Sequence, residues 1–229
     1  MPNQIQVKSI LNKHKRRDSW FLDDYSINPY EACSFNCVYC YIRGSKYGEN
    51  MAKTLSVKTN APEVLEKQLS RRAKREEYGI TALASATEAY MPIEEKTKLT
   101  RKLRGIILKY RFPVNIGTKS PLILRDLDIL KEIDAKAILP EDLRPKLKHG
   151  TIISFSFSTL DGKLAKIFEP RAPSPKKRLE TMKKCKEQGF LTGANYIPVL
   201  PFLSDSDEQF KENILAFRYP EGLSSIIIT

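Results

Sequence analysis

Three of the four cysteines, Cys33, Cys37 and Cys40, fall within the eight residues CSFNCVYC, while Cys185 stands far along the chain. Thiolates at C-x3-C-x2-C spacing on one short segment can bind three irons of a [4Fe-4S] cube. The fourth iron would then lack a protein ligand and could take a small chelating molecule. An open position of that kind marks a reactive rather than a structural centre. The alternative is a structural zinc completed from a distance, with Cys185, His14 and His149 as the available ligands. Cys185 equally suits a packing role beside Leu179 and Met182 on one helix. An electron-transfer ferredoxin would need a fourth cysteine close by, and none is there.

Such a loop needs a scaffold. Short apolar strands alternate with amphipathic helices along the chain, which is the signature of a parallel α/β fold. The first strand ends in DYSINPY (24–30) and runs into the cysteines. A helix over residues 62–74 follows, with Leu65 and Leu69 at helical spacing. Strands over 79–90, 112–120, 150–159, 191–201 and 222–229 then alternate with helices over 97–110, 122–133, 174–189 and 206–217. Residues 134–149, with mixed charge and two prolines, read as an inserted loop.

In GTIISFSFST the residues Ser154, Ser156 and Ser158 alternate with Ile153, Phe155 and Phe157. The bulky face should meet helices and the serines should face a barrel interior. The sum is an α/β fold, a partial (β/α)6 TIM-like barrel over 24–229, preceded by a basic N-terminal extension over 1–23. Ending on strand six leaves an uncovered edge, which suggests a truncated or divergent terminus.

The 229 residues are 41% hydrophobic and 29% charged, enough to bury a core. No run approaches the roughly 18 apolar residues of a membrane span. MPNQIQVKSILNKHKRR lacks the apolar stretch of a signal peptide. The expectation is a cytoplasmic protein with reduced thiols, in which disulfides are disfavoured. The formal net charge of +12 favours anionic partners, nucleic acid first. The basic residues cluster as KHKRR (13–17), RRAKR (71–75) and RKLR (101–104), of which the latter two also fit solvated helix faces.

CSFNCVYC, with an aromatic residue just before its last cysteine, resembles the cluster loop of the radical S-adenosylmethionine (SAM) superfamily. INPYEACSFNCVYCYIR (27–43), ATEAYMPIEEKTKLTRKL (86–103), TKSPLILRD (118–126), STLDGKLAKIFEPRAPSPKKRL (158–179) and NYIPVLPFLSDS (195–206) resemble its spore photoproduct lyase-like branch, also called DNA repair photolyase-like. They span nearly the whole chain in the expected order. The resemblance implies a [4Fe-4S] cluster held by Cys33, Cys37 and Cys40, with SAM on the free iron. Reductive cleavage of SAM would give a 5'-deoxyadenosyl radical that takes hydrogen from a substrate. A one-electron donor such as flavodoxin or ferredoxin is implied, with DNA or RNA as the first substrate class to consider.

For the SAM pocket the resemblance points to Tyr39 against the adenine and to Thr87 and Glu88 near the methionine ammonium. It points likewise to Lys119 at the SAM carboxylate, and to Ser156, Ser158 and Asn195 along the ribose or carboxylate. Core packing is the plain alternative for Tyr39 and for either serine. Glu169 and Arg171 would order their loop or contact substrate. Relatives often carry aspartate where Glu88 stands. True spore photoproduct lyases carry a hydrogen-donating cysteine near the position of Ser85, but no cysteine lies between Cys40 and Cys185. A serine O–H bond is too strong to quench a carbon radical readily, so thymine-dimer lyase chemistry is not implied. The rival reading is a non-catalytic nucleic-acid-binding module with a structural zinc or iron-sulfur site.

Overall fold

The computed structural model describes residues 2–44, 55–218 and 225–228. Strands β1 (Asn3–Ile5), β2 (Leu11–Lys13), β3 (Tyr25–Ile27), β4 (Tyr30–Glu31) and β5 (Ser56–Lys58) lead into α1 (Ala61–Lys74) and β6 (Thr81–Leu83). There follow α2 (Glu94–Thr97), α3 (Leu99–Lys109), β7 (Val114–Thr118), α4 (Leu127–Lys136) and β8 (Thr151–Phe157). The rest comprises α5 (Gly162–Phe168), α6 (Pro175–Glu187), β9 (Leu191–Tyr196), α7 (Asp207–Arg218) and β10 (Ser225–Ile228).

The main sheet has the order β10-β9-β8-β7-β6-β3-β2. From β3 to β10 every neighbouring pair is parallel and follows chain order, as helical crossovers require. This is the partial six-stranded α/β barrel read from the sequence. β10 corresponds to the sixth strand, while residues 222–224 and 229 of that reading lie outside the described residues. β2 pairs antiparallel with β3, so residues 11–13 of the basic N-terminal stretch join the sheet. A separate small sheet, β1-β5-β4, was not foreseen; its strands are two or three residues long and carry no periodic signal.

The helical patterns hold because their apolar stripes face the sheet. Leu65 and Leu69 of α1, and Leu103 and Ile107 of α3, are fully buried. Burying each such side chain stabilises the fold by about 1.5–3 kcal/mol. The expected 97–110 helix breaks at Lys98, whose φ of 49° is left-handed, so α2 is a single turn ahead of α3. The 122–133 helix begins as a tight 3-10 segment over Pro121–Asp126 before α4 takes over. α5 was not foreseen; Asp161 caps it by accepting from Lys163 N (2.6 Å) and Leu164 N (3.2 Å).

β8 behaves as its alternation predicts on one face. Ile153, Phe155 and Phe157 are fully buried, with the Phe157 ring 4.9 Å from Phe217 of α7. Gly150 permits the close approach of α4 to the start of β8. A Cβ there would lie 2.6 Å from Ala137 Cβ and 2.8 Å from the Ile133 carbonyl oxygen.

Candidate active site at the cysteine loop

A cavity of about 520 Å³ opens where the parallel strands end, and all three clustered cysteines line it. Sites at the C-terminal ends of parallel strands arise because the loops there converge from several units. The cysteine loop leaves β3 through Asn28, whose side-chain oxygen accepts from Ala86 N at 2.9 Å, fastening it to the loop after β6. Ala32 and Ala84, near the ends of these neighbouring strands, hold left-handed φ values of 62° and 64°. Each costs about 1–3 kcal/mol in a non-glycine residue, and such strain gathers at functional sites. Further along, Val38 N donates to the Phe168 carbonyl at 2.8 Å, and Arg43 Nε to the Cys37 carbonyl at 2.9 Å.

Burial pushes the Cys33 thiol up to about 11 and raises that of Cys37, the latter offset by nearby Lys119. Ligation must therefore displace a proton from each. Among the described residues no three His, Cys, Asp or Glu side chains converge on a point that a single metal ion could occupy. The distant zinc candidates are engaged elsewhere. His14 faces Asp23 at 3.3 Å, His149 faces Asp134 at 3.0 Å, and Cys185 is fully buried in the hydrophobic core.

Tyr39, Thr87, Glu88, Lys119, Ser156 and Asn195 line the same cavity as the cysteines. Glu88 is an acceptor on several sides. Its Oε1 takes Thr118 Oγ1 (2.7 Å) and Tyr90 N (2.9 Å), and its Oε2 takes Lys119 N (2.9 Å). Burial nonetheless raises its pKa, with those hydrogen bonds and Lys119 opposing. Thr87 Oγ1 and Asn195 Oδ1 are buried with no hydrogen-bond partner among the described residues. Polar atoms left so in a cavity wall are groups that a ligand can satisfy.

Ser158 departs from the expectation. It is fully buried and does not line the cavity; its Oγ donates to Glu169 Oε1 at 3.2 Å. The turn after β8 carries it behind the wall, where strand alternation no longer governs direction.

Glu169, whose role the sequence left open, gathers the back of the site. Its carboxylate accepts from Tyr39 Oη and from the Arg178 guanidinium, and stands 3.8 Å from Lys119 Nζ. These partners hold the carboxyl below its usual range although burial acts the other way. Arg178 also donates to the Ser156 carbonyl at 2.9 Å. Lys119 Nζ lies 5.9 Å from the centre of the Tyr39 ring. Arg178 was missed because a basic residue in a helix start reads as a solvated one; no local signal separates it from Lys176 and Lys177.

A second buried network braces the loop from below. Glu94 accepts from Tyr30 Oη, Thr100 N and Arg125, while Asp126 is held by Arg101, Arg104 and Arg125. Arg125 and Asp126 join α3 to the segment after β7 and, through Glu94 and Tyr30, to the entry of the cysteine loop.

A parallel partial barrel with three thiols on the loop after its first parallel strand defines a class of site built for a cofactor at the barrel mouth. Residues 27–214 match the Radical SAM superfamily, and the chain belongs to it. Uncharacterized proteins of Methanocaldococcus jannaschii (32% identical over 184 residues, 79% of this chain and 62% of that one) and Mycobacterium tuberculosis (29% over 216 residues, 92% and 59%) are similar to it. Its fold is that of spore photoproduct lyase. A mutant of that enzyme with dinucleoside spore photoproduct superposes at a TM-score of 0.66 with 16% identity, covering 98% of this chain and 59% of that one. Another mutant, with bound AdoMet and dinucleoside spore photoproduct, gives 0.63 at 16% identity, with the same coverage. The chain spans about three fifths of the length of these relatives.

Proposed function

We propose that this chain is a radical SAM enzyme whose three-cysteine loop holds a [4Fe-4S] cluster and whose adjoining cavity wall holds SAM. The observation that carries the reading is the convergence on one cavity of Cys33, Cys37 and Cys40 with Thr87, Glu88, Lys119, Ser156 and Asn195. The residues suit the group chemically. Three soft thiol ligands face the cavity beside the Lys119 ammonium, two buried carboxylates (Asp23 and Glu88) and three polar atoms without partners among the described residues (Asp23 Oδ1, Thr87 Oγ1 and Asn195 Oδ1). When bound and reduced by one electron, the cluster with SAM supplies a 5'-deoxyadenosyl radical for hydrogen abstraction.

This chain's own part is positioning. Lys119, at the cavity wall, is the cation for a carboxylate, while Glu88 is the acceptor for an ammonium. Thr87 and Asn195 offer their unpaired oxygens to donors of the same ligand. Tyr39 presents a ring fixed through its hydroxyl on Glu169, a flat apolar surface suited to an adenine. The apolar remainder of the wall, including Phe21, Phe35 and Leu83, excludes water from a reactive species.

Nucleic acid is the substrate class we propose, supported by the net charge of +12. Dimer cleavage with a cysteine hydrogen donor is not part of this proposal, because the cavity wall after β6 offers Ala84, Ser85 and Ala86 and no cysteine lies between Cys40 and Cys185. No helix among the described residues is long and apolar enough to cross a membrane. The test is anaerobic reconstitution: about four iron and four sulfide per chain, with an EPR signal altered by SAM. One zinc in a colourless protein would instead favour a nucleic-acid-binding module.

A further inference from the structure

We infer that the outer face of the cysteine loop, together with α5, is the docking surface for a small acidic one-electron carrier protein. The inference rests on the radical SAM reading above and names where the reductant meets that centre. Val38, next to Cys37 in the chain, turns away from the cavity and is 56% exposed. Its backbone N–H is bonded to the Phe168 carbonyl at 2.8 Å, which sets the loop against the end of α5. There Ile167 is 66% exposed. These two exposed aliphatic side chains, one beside Cys37 and one beside Phe168, offer apolar surface that the fold itself does not bury.

The charges around this spot are predominantly basic. On residues 33–43 and 161–168 three exposed cations, Arg43, Lys163 and Lys166, outnumber one exposed carboxylate, Asp161, which caps α5 through the Lys163 and Leu164 N–H groups. Arg171 follows, also exposed, whereas the nearby carboxylate of Glu169 is buried and committed to Arg178 and Tyr39. Arg43 is folded over the loop, with Nε on the Cys37 carbonyl at 2.9 Å, so its charge sits beside the ligand run. Lys166 is held at the other end by the Pro170 carbonyl at 3.1 Å. A small apolar centre ringed by cations complements a carrier with an acidic rim around its redox group. Electron-transfer encounters are of this kind, small in area, weak, and steered by charge.

The balance of the step is simple. The reduced carrier loses one electron, the centre on the loop gains it, and no bond forms or breaks between the proteins. Entry from this side also leaves the cavity free for SAM and substrate.

The experiment uses the reconstituted chain and an acidic plant-type ferredoxin as the probe. Stopped-flow absorbance follows reduction of the centre by reduced ferredoxin, and fluorescence anisotropy follows binding of labelled oxidised ferredoxin. Replacing Lys163→Glu and Lys166→Glu together should slow the ferredoxin reaction and weaken binding by about tenfold at low salt. The wild-type rate should fall as salt rises. Ile167→Ser should weaken binding with its salt dependence retained. Reduction of every variant by dithionite should stay at the wild-type rate. Charge-reversed protein that binds ferredoxin and accepts its electron as fast as wild type overturns the docking surface alone. A wild-type chain that takes up no cluster overturns the functional reading with it.

Discussion

Glu169 accepts a hydrogen bond from the Tyr39 hydroxyl, so a residue between two cysteines of the loop is fastened to a buried carboxylate just beyond α5. The same carboxylate carries the Arg178 ion pair and faces Lys119 at 3.8 Å. One buried anion therefore sets both the aromatic and the cationic wall of the cavity. Replacing it with a neutral isostere leaves Arg178 buried without its counter-charge. Glu169→Gln should lose about 3–5 kcal/mol of stability in urea denaturation. It should also weaken SAM binding, measured by equilibrium titration. A variant as stable as wild type would show that Arg178 finds other partners.

Thr87 presents the opposite case. Its hydroxyl oxygen is buried with no partner among the described residues, so the ligand-free fold gains little from it. Thr87→Val, which keeps the shape, should leave the melting temperature of the ligand-free chain unchanged or slightly higher. SAM affinity should fall by about tenfold, the effect of roughly 1.4 kcal/mol from one lost hydrogen bond. Equal affinity in the two proteins would remove Thr87 from the binding wall.

The cysteines should separate by role. Cys37→Ala should abolish stable cluster uptake in iron and sulfide analysis. Cys185 sits in the core with its thiol pushed up to about 12 by burial, and Cys185→Ser should leave iron content intact. Its cost should appear only as a stability loss of about 1–3 kcal/mol from burying a hydroxyl. Loss of iron in Cys185→Ser would return it to the list of ligands.

Asp126 predicts an acid limb in the stability profile. Burial would raise its carboxyl, but hydrogen bonds from Arg125 and Arg101 and the charge of Arg104 hold it below its ordinary value of 3.8. A carboxyl lowered in the folded state binds fewer protons there than in the unfolded chain. Its stabilisation is thus present above pH 3.8 and lost as pH falls through the lowered value. Asp126→Asn should be less stable than wild type at neutral pH by about 3–5 kcal/mol. The gap should narrow below pH 3.8, as followed by denaturant midpoints from pH 7 to pH 2. A gap independent of pH would mean that packing, and not charge, holds the site.

The elements were legible where period and length were strong. The alternation in β8 and the stripe of α1 each came from a local pattern that the sheet then rewarded with burial. α5 escaped because its seven residues are too short for a stripe, and the β1-β5-β4 sheet because its strands pair across long stretches of chain. Ser158 was placed by extending a two-residue period past the end of its strand, where the backbone turns it toward Glu169.

What the sequence determined by itself is the local chemistry: three thiols at C-x3-C-x2-C spacing at the end of a strand, and the order of strands and helices that carries them. Spacing along a short loop confines its side chains to one neighbourhood whatever the rest of the chain does. The tertiary structure alone decided which distant groups face that loop. Lys119, the Glu169–Arg178 pair and Asn195 come from three different βα units, and their meeting depends on sheet register and on where each loop turns. That information resides in packing between elements, which no window of sequence contains.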